Sequence, residues 1–378
     1  MVLHGNSLER LKEFPDNYFD CVVTDPPYGL SFMGKKWDYD VPSVELWREV
    51  LRVLKPGGHV LSFGGTRTYH RMVVNIEDAG FEIRDQIAWL YGSGFPKSLD
   101  VSKAIDKAAG AEREIVGEAK RSGANSRAYQ SEAITTAGQH FKTAPATPDA
   151  KKWQGFGTAL KPANEPIVVA RKPLEKGLTV AENVLKFGTG AMNIDGSRIG
   201  TEQMGGQTIK QSYGSDAHFG GGEKRNKQVT ATIAQGRWPA NVLFDERAAE
   251  MLDEQSGQLS QCGGPKKTTH DAGMFGIGTP GRIYTEANRG ASRFFYCAKA
   301  SKSERNAGLD NLKNVHPTIK PIKLMEYLIK LVCPPSGIVL DPFCGSGSTG
   351  VAAKRLGFGF VGIEMNAEYV EIAKRRVG

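Results

Sequence analysis

Apolar residues recur along the first hundred positions with two alternating rhythms. Val44, Trp47, Leu51 and Leu54 lie three or four apart and share one face of a helix over 43–54, which Pro56-Gly57-Gly58 stops. The compact run His59-Val60-Leu61-Ser62-Phe63 then predicts a strand. Tyr69, Met72, Val73 and Ile76 repeat the helical spacing up to Gly80, and 81–90 predicts another strand. Earlier, Phe19-Asp20-Cys21-Val22-Val23 has the texture of a short buried strand, followed by Thr24-Asp25-Pro26-Pro27-Tyr28-Gly29. The last sixty residues keep the same alternation: helix 321–333 with Met325, Leu328, Ile329 and Val332 on one face, strand 337–341, helix 347–356, strand 358–363 and helix 366–376. Strands that alternate with helices build a mostly parallel sheet covered on both faces, so the expected class is α/β, a doubly wound Rossmann-like layer whose halves are the two ends of the chain.

The middle changes texture. Ten glycines fall in the 35 residues from Gly188 to Gly222, and a second glycine-rich run extends from Gly257 to Gly290, so an inserted, loop-rich region is expected there. One strand-like piece, Glu165-Pro166-Ile167-Val168-Val169-Ala170, is a candidate for the main sheet. Charge follows the same division. Lys and Arg against Asp and Glu number 11 to 14 in residues 1–100, 27 to 20 in 101–300 and 11 to 7 in 301–378, with a net charge of +8 overall. A polyanionic partner would therefore meet the middle and the end of the chain. The five cysteines are odd in number and form no Cys-x-x-Cys pair, which argues against a disulfide framework or a structural zinc site, and no metal is expected. Neither a membrane span nor a signal-like N-terminus is visible, so a cytoplasmic location is expected.

Val339-Leu340-Asp341-Pro342-Phe343-Cys344-Gly345-Ser346-Gly347-Ser348-Thr349-Gly350 is a strand, a glycine turn and a helix start containing G-x-G-x-x-G. Seventeen residues past Gly347, at the end of the next strand, stands Glu364, where a nucleotide-binding sheet places the acid that accepts from ribose hydroxyls. The loop predicts an adenosine-containing cofactor without fixing a reaction. An NAD-dependent oxidoreductase would use the same device. Against it stand the bulky Asp341-Pro342-Phe343, which suits a cationic, non-phosphorylated ligand better than a pyrophosphate, and the shortage of chain after Glu364 for a second mononucleotide half.

Three motifs together resemble those of the S-adenosylmethionine-dependent DNA amino-methyltransferases, which act on adenine N6 or cytosine N4: Asp25-Pro26-Pro27-Tyr28, the loop 341–350, and His316-Pro317-Thr318-Ile319-Lys320-Pro321. Their order resembles the permuted β group of that family. The resemblance covers roughly 1–100, 159–172 and 291–378. It implies that Asp25 and the Pro26 carbonyl accept the two N–H bonds of an exocyclic amino group, freeing a lone pair otherwise delocalised into the ring. Prolines suit that task because they fix the backbone and remove competing donors. Pro27 completes the rigid turn, and Tyr28 is expected to stack on an extruded base, an interaction worth about 1–3 kcal/mol. The resemblance further implies S-adenosylmethionine as cofactor, with Asp341 near the methionine amino group, Phe343 against the adenine or sulfonium region, the Gly345 and Gly347 backbones close to the ligand, and Glu364 on the ribose. Thr318 and Lys320 match the motif expected near the methionine carboxylate, against the blander expectation of a solvated lysine. Asn6 and Ser7 stand where the family has Gly-Asp at the cofactor adenine, a departure that predicts weaker binding.

Lys35, Lys36 and Trp37 form a candidate DNA-contacting loop, two phosphate-seeking charges and a ring able to fill the gap of a flipped base. Trp89 and Phe95 are candidate contacts to the target base, with core packing the rival reading for Trp89. Asp at the first motif position favours adenine N6 over cytosine N4, and an inactive DNA-binding protein is a further alternative. The expected division is a catalytic half over 1–172, a target-recognition region over 173–290 and a cofactor-binding half over 291–378. Double-stranded DNA is the expected partner, and the resemblance leaves room for a homodimer and a cognate restriction endonuclease.

Overall fold

The computed structural model describes residues 1–30, 39–94, 98–118, 141–200, 208–210, 230–232, 236–257, 290–298, 309 and 319–378. Its main sheet has nine strands: β1 (Val2–His4), β2 (Phe19–Thr24), β3 (Leu54–Phe63), β4 (Glu82–Leu90), β5 (Asn164–Arg171), β6 (Val242–Asp245), β7 (Tyr296–Ala298), β8 (Ile338–Asp341) and β9 (Gly359–Glu364). Their spatial order is β1-β9-β8-β2-β3-β5-β4-β6-β7. All neighbours are parallel except β5, which runs antiparallel to both β3 and β4. The fold is therefore the expected α/β class with a mostly parallel sheet, and 165–170 does belong to it.

Both faces of the central strands are buried, as parallel sheets require. Cys21, Val23, Leu61, Phe63, Ile167, Val169 and Val339 point into one apolar cluster, while the alternate residues Val22, Val60, Val168, Ala170 and Leu340 point into the other. The second cluster is closed by α1 (Ser7–Leu11), α2 (Val44–Val53) and α3 (Tyr69–Asp78) through Leu11, Trp47, Val50, Met72 and Ile76. Within the same compact unit, Met1–Gly92 with Asn164–Gly378, the first cluster is closed chiefly by the C-terminal helices, here numbered after the two short helices α4 (Val101–Ala108) and α5 (Pro148–Lys152) and after α6 (Val180–Phe187) and α7 (Glu246–Ser256). They are α8 (Ile322–Val332), with Leu324, Leu328 and Ile329 fully buried, α9 (Ser348–Arg355) and α10 (Ala367–Val377).

One boundary differs from the sequence expectation. The strand expected at 59–63 begins at Leu54, because Lys55 precedes proline and is driven out of helical backbone, ending α2 at Val53 and starting sheet pairing immediately as Leu54 meets Phe19. Ser93–Ala163 forms a separate compact unit holding α4, α5 and a hairpin of Ile115–Glu118 with Phe141–Thr143. In it, buried Asp106 accepts from Arg113 Nη1 at 2.6 Å and from the Thr147 backbone N at 2.9 Å, tying α4 to the start of α5.

Candidate active site

β2 and β8 are adjacent, and from this pair the chain winds outward in opposite directions, to β3 on one side and β9 on the other. Such a reversal opens a crevice beyond the carboxyl ends of the strands, the usual ligand site of a doubly wound sheet. Asp25 follows β2 and Asp341 ends β8, so two motifs 316 residues apart in sequence (341 minus 25) meet at one edge. A buried hydroxyl joins them: Thr24 Oγ1 donates to Asp341 Oδ1 at 2.6 Å.

The glycine loop is built inward from Asp341. Besides Thr24, its carboxylate accepts from Thr349 Oγ1 at the start of α9 and from the Phe343 backbone N at 3.1 Å. Burial pushes its pKa up to about 6 against the pull of those hydrogen bonds. Gly345 and Gly347 hold φ of +50° and +83°, a region that favours glycine. A Cβ on Gly350 would lie 2.5 Å from the Phe360 ring and 2.6 Å from Val377, so this third glycine lets α9 close onto β9 and α10. Glu364 ends β9 beside the loop, accepting from Gly345 N at 3.0 Å and Asn366 N at 2.7 Å, with its pKa raised by burial. From the other end of the chain, β1 pairs with β9 and brings in Ser7, whose buried Oγ donates to the Pro342 carbonyl at 2.5 Å. Asn6 is exposed and caps α1 by accepting from Leu8 N at 2.9 Å.

Across the crevice, Asp25, Tyr28, Glu165 and Lys320 form one cluster. Lys320 is not a solvated surface charge: it is 8% exposed, with Nζ 2.7 Å from Asp25 Oδ2, 3.1 Å from Glu165 Oε2 and 3.1 Å from the Tyr28 hydroxyl. Burial works to discharge the ammonium, and the two carboxylates outweigh it and hold the pKa above its ordinary value. The Tyr28 hydroxyl lies 2.7 Å from Asp25 Oδ1 and 3.2 Å from Glu165 Oε2, and burial followed by those charges raises its pKa well above normal. The structure thus brings Lys320 to the Asp25 side of the crevice. Pro26 is buried and Pro27 half-buried in the same turn.

Trp89 is built into the core, edge-to-face on Phe63 at 6.3 Å and tilted against Tyr91 at 5.4 Å, and its buried Nε1 has no hydrogen-bond partner among the described residues. It adjoins the site through Phe63, whose ring lies 4.8 Å from Lys320 Nζ, and through its sheet partner Glu165. Lys35, Lys36, Trp37, Phe95 and Thr318 lie outside the described residues. Three residues of the site carried no expectation from sequence. Glu165 was legible only as an acid opening an otherwise apolar strand, and Thr24 and Thr349 are hydroxyls at strand and helix ends with no motif value of their own.

A family model described as DNA methylase, of the N6 and N4 type, matches residues 19–375. The chain belongs to that family. Among curated proteins, this methylase is 25% identical over 419 residues to the Type II methyltransferase M.HindIII of Haemophilus influenzae, covering 100% of the chain and 94% of the relative. It is 50% identical over 62 residues to the Type II methyltransferase M2.DpnII of Streptococcus pneumoniae, covering 16% of the chain and 23% of the relative. Among solved structures it is similar to a PvuII DNA methyltransferase described as cytosine-N4-specific, at 16% identity and TM-score 0.46, covering 99% of this chain and 85% of that one.

The methylase uses the family's donor, S-adenosylmethionine. The site fits it. A loop whose backbone is kept bare by Gly345 and Gly347, beside an acid ending the neighbouring strand, is the cradle an adenosine group needs, and no phosphate-neutralising cation stands in the loop itself. No helix of the described residues is long and apolar enough to cross a membrane.

Proposed function

We propose that the methylase transfers a methyl group to adenine N6 in double-stranded DNA, acting on a base extruded from the helix. One observation carries the reading: the Thr24–Asp341 hydrogen bond fixes the amino-acceptor turn and the cofactor loop to each other at the crevice edge. When bound there, S-adenosylmethionine supplies a methyl group on a cationic sulfur. Asp25 and the Pro26 carbonyl accept the two amino N–H bonds, draw the nitrogen towards tetrahedral geometry and stabilise the positive charge that develops on it as the N–C bond replaces the S–C bond. The neutral thioether leaves with the bonding pair, and the surplus N–H proton passes by way of Asp25 to water. No strong base is needed, because the amino group becomes acidic only as it is methylated. Positioning dominates, and well-oriented encounters supply roughly 7–11 kcal/mol of barrier reduction. Tyr28 stacks on the base, offsetting the few kcal/mol that extrusion costs. Phe343, Gly345, Gly347 and Glu364 hold the donor, with Asn6, Ser7, Asp341 and Thr318 around it.

Asp25, where the cytosine-N4 enzymes mostly place Ser, favours adenine. The region 173–290 selects the target sequence, since base-edge readout needs a surface distinct from the catalytic crevice. Lys35, Lys36 and Trp37 contact the phosphates and fill the gap in the stack, Phe95 meets the base, and Trp89 supports the pocket through Phe63. The enzyme works in the cytoplasm, as a homodimer and beside a cognate restriction endonuclease.

The test is incubation with methyl-labelled S-adenosylmethionine and unmethylated bacterial DNA, followed by digestion and mass spectrometry of the nucleosides. Label in N6-methyladenine, lost in Asp25→Ala, is the expected result. Label in N4-methylcytosine would overturn the choice of base and keep the mechanism.

A further inference from the structure

Both carboxylate oxygens of Asp25 are engaged within the protein, Oδ1 with the Tyr28 hydroxyl and Oδ2 with Lys320 Nζ. That arrangement opposes the reaction proposed above in two ways. The oxygen proposed to accept an amino N–H is already ion-paired, and the cation paired with it offsets the negative charge that would stabilise the developing positive charge on the target nitrogen. Glu165 relieves both. Its Oε2 lies 3.1 Å from the same ammonium, against 2.7 Å for Asp25. Lys320 thus already bridges the two carboxylates, and a move toward Glu165 lets it leave Asp25 Oδ2 without returning the buried cation to water.

The antiparallel direction of β5 creates this option. Its register places Ile167 beside Phe63 and Glu165 beside Trp89, so its first residues lie against the carboxyl ends of β3 and β4, at the crevice. A strand parallel to its neighbours would present its last residues there. Among the described residues, the groups facing Lys320 are Asp25 and Tyr28 from the turn after β2, Phe63 from β3, Glu165 from β5 and the Tyr91 phenol after β4.

We propose that Glu165 is a positioning residue for methyl transfer: it draws Lys320 from Asp25 as the target base enters, leaving Asp25 Oδ2 open to the amino group and its negative charge less neutralised. The proposal rests on Asp25 being the amino acceptor. Glu165 acts through its neighbours, chiefly Lys320 at 3.1 Å, and also accepts from the Tyr28 hydroxyl at 3.2 Å.

The experiment compares full-length Asp25→Ala, Glu165→Gln and the double variant Glu165→Gln/Lys320→Met with wild type. Single-turnover methylation of unmethylated bacterial DNA is followed at saturating S-adenosylmethionine from pH 6 to 10, with donor affinity measured separately by calorimetry. Glu165→Gln is expected to bind the donor within twofold of wild type and to transfer methyl at least tenfold more slowly at pH 7.5, with little change in KM for DNA. Its rate should rise at alkaline pH, because losing one of the two carboxylates lets Lys320 discharge earlier. The double variant should recover at least threefold of the loss, since no cation remains to be moved. Glu165→Gln within twofold of wild type, or a double variant no faster than the single, would overturn the proposal. If Glu165→Gln melts far below wild type, Glu165→Asp takes its place: the shorter carboxylate should restore the fold and leave transfer slowed, and a full rate would sink the idea. An active Asp25→Ala would instead remove the acceptor reading beneath it.

Discussion

At the scale of single residues, the crevice is a set of buried charges held by short hydrogen bonds, and each can be tested by removing one partner. Asp25→Ala deletes the proposed amino acceptor, and the expected loss is about 10²–10³-fold in kcat, as where comparable preorganised groups have been removed. Donor affinity, measured by calorimetry, should change little. Thr24→Val keeps the volume and removes the hydroxyl that donates to Asp341 Oδ1, leaving a fully buried carboxylate short of a donor. The expected cost is about 1–3 kcal/mol in urea unfolding. Lys320 shows the limit of reading residues one at a time. Within a proline-rich motif its surroundings suggest a solvated side chain, and only the fold supplies the two carboxylates that make its burial tolerable.

At the scale of elements, the glycine loop and β5 carry the most consequence. A side chain at Gly350 would collide with Phe360 and Val377 at 2.5 and 2.6 Å, and the obstacles are a packed ring and a buried valine rather than a flexible tip. Gly350→Val should therefore lower stability by about 1–3 kcal/mol as the helix is forced off the sheet. It should also weaken donor binding in the same calorimetric assay, because the preceding turn is carried away with α9. Gly347→Ala has a different cause, the φ of +83° and a Cβ 3.1 Å from Ala373, and it should lose donor affinity with smaller loss of stability. The helices and strands at both ends of the chain were legible from apolar spacing to within a few residues, since each buries one face or a short continuous run. The direction of β5 was not legible, because an apolar strand buried on both faces has the same pattern whichever way it runs.

At the scale of the whole molecule, pH and salt report on the fold and on the partner. His59 is buried in β3 opposite Arg171, and burial first, then Arg171 and Arg84, lower its pKa from 6.5 to about 4. A base depressed in the fold contributes stability that is present above pH 6.5 and lost as pH falls through about 4, where the unfolded chain binds the proton more readily. Relative to wild type, His59→Gln should therefore gain about 3 kcal/mol of stability between pH 7 and pH 4, measured by urea unfolding at both. The basic excess of residues 101–300, 27 against 20, predicts DNA binding that weakens steeply and log-linearly with salt. Deletion of 196–222 should abolish selection of the target sequence and leave donor binding intact. Loss of donor binding instead would remove the proposed recognition role from that region.

The α/β class, the glycine turn between β8 and α9, an acid at the end of the next strand and a proline turn after β2 were legible in the sequence alone. Each depends on local spacing: apolar periodicity, glycines at a strand-to-helix turn, prolines beside a carboxylate. The packing of Ser93–Ala163 as its own compact unit, the built-in position of Trp89 and the company of Lys320 were decided by tertiary structure. The sharpest case is Glu165. It stands 140 residues from Asp25 (165 minus 25), and its Oε2 and Asp25 Oδ1 both lie within hydrogen-bonding reach of one tyrosine hydroxyl. Nothing in the intervening chain encodes that meeting, because it arises from sheet order and from one strand running against its neighbours.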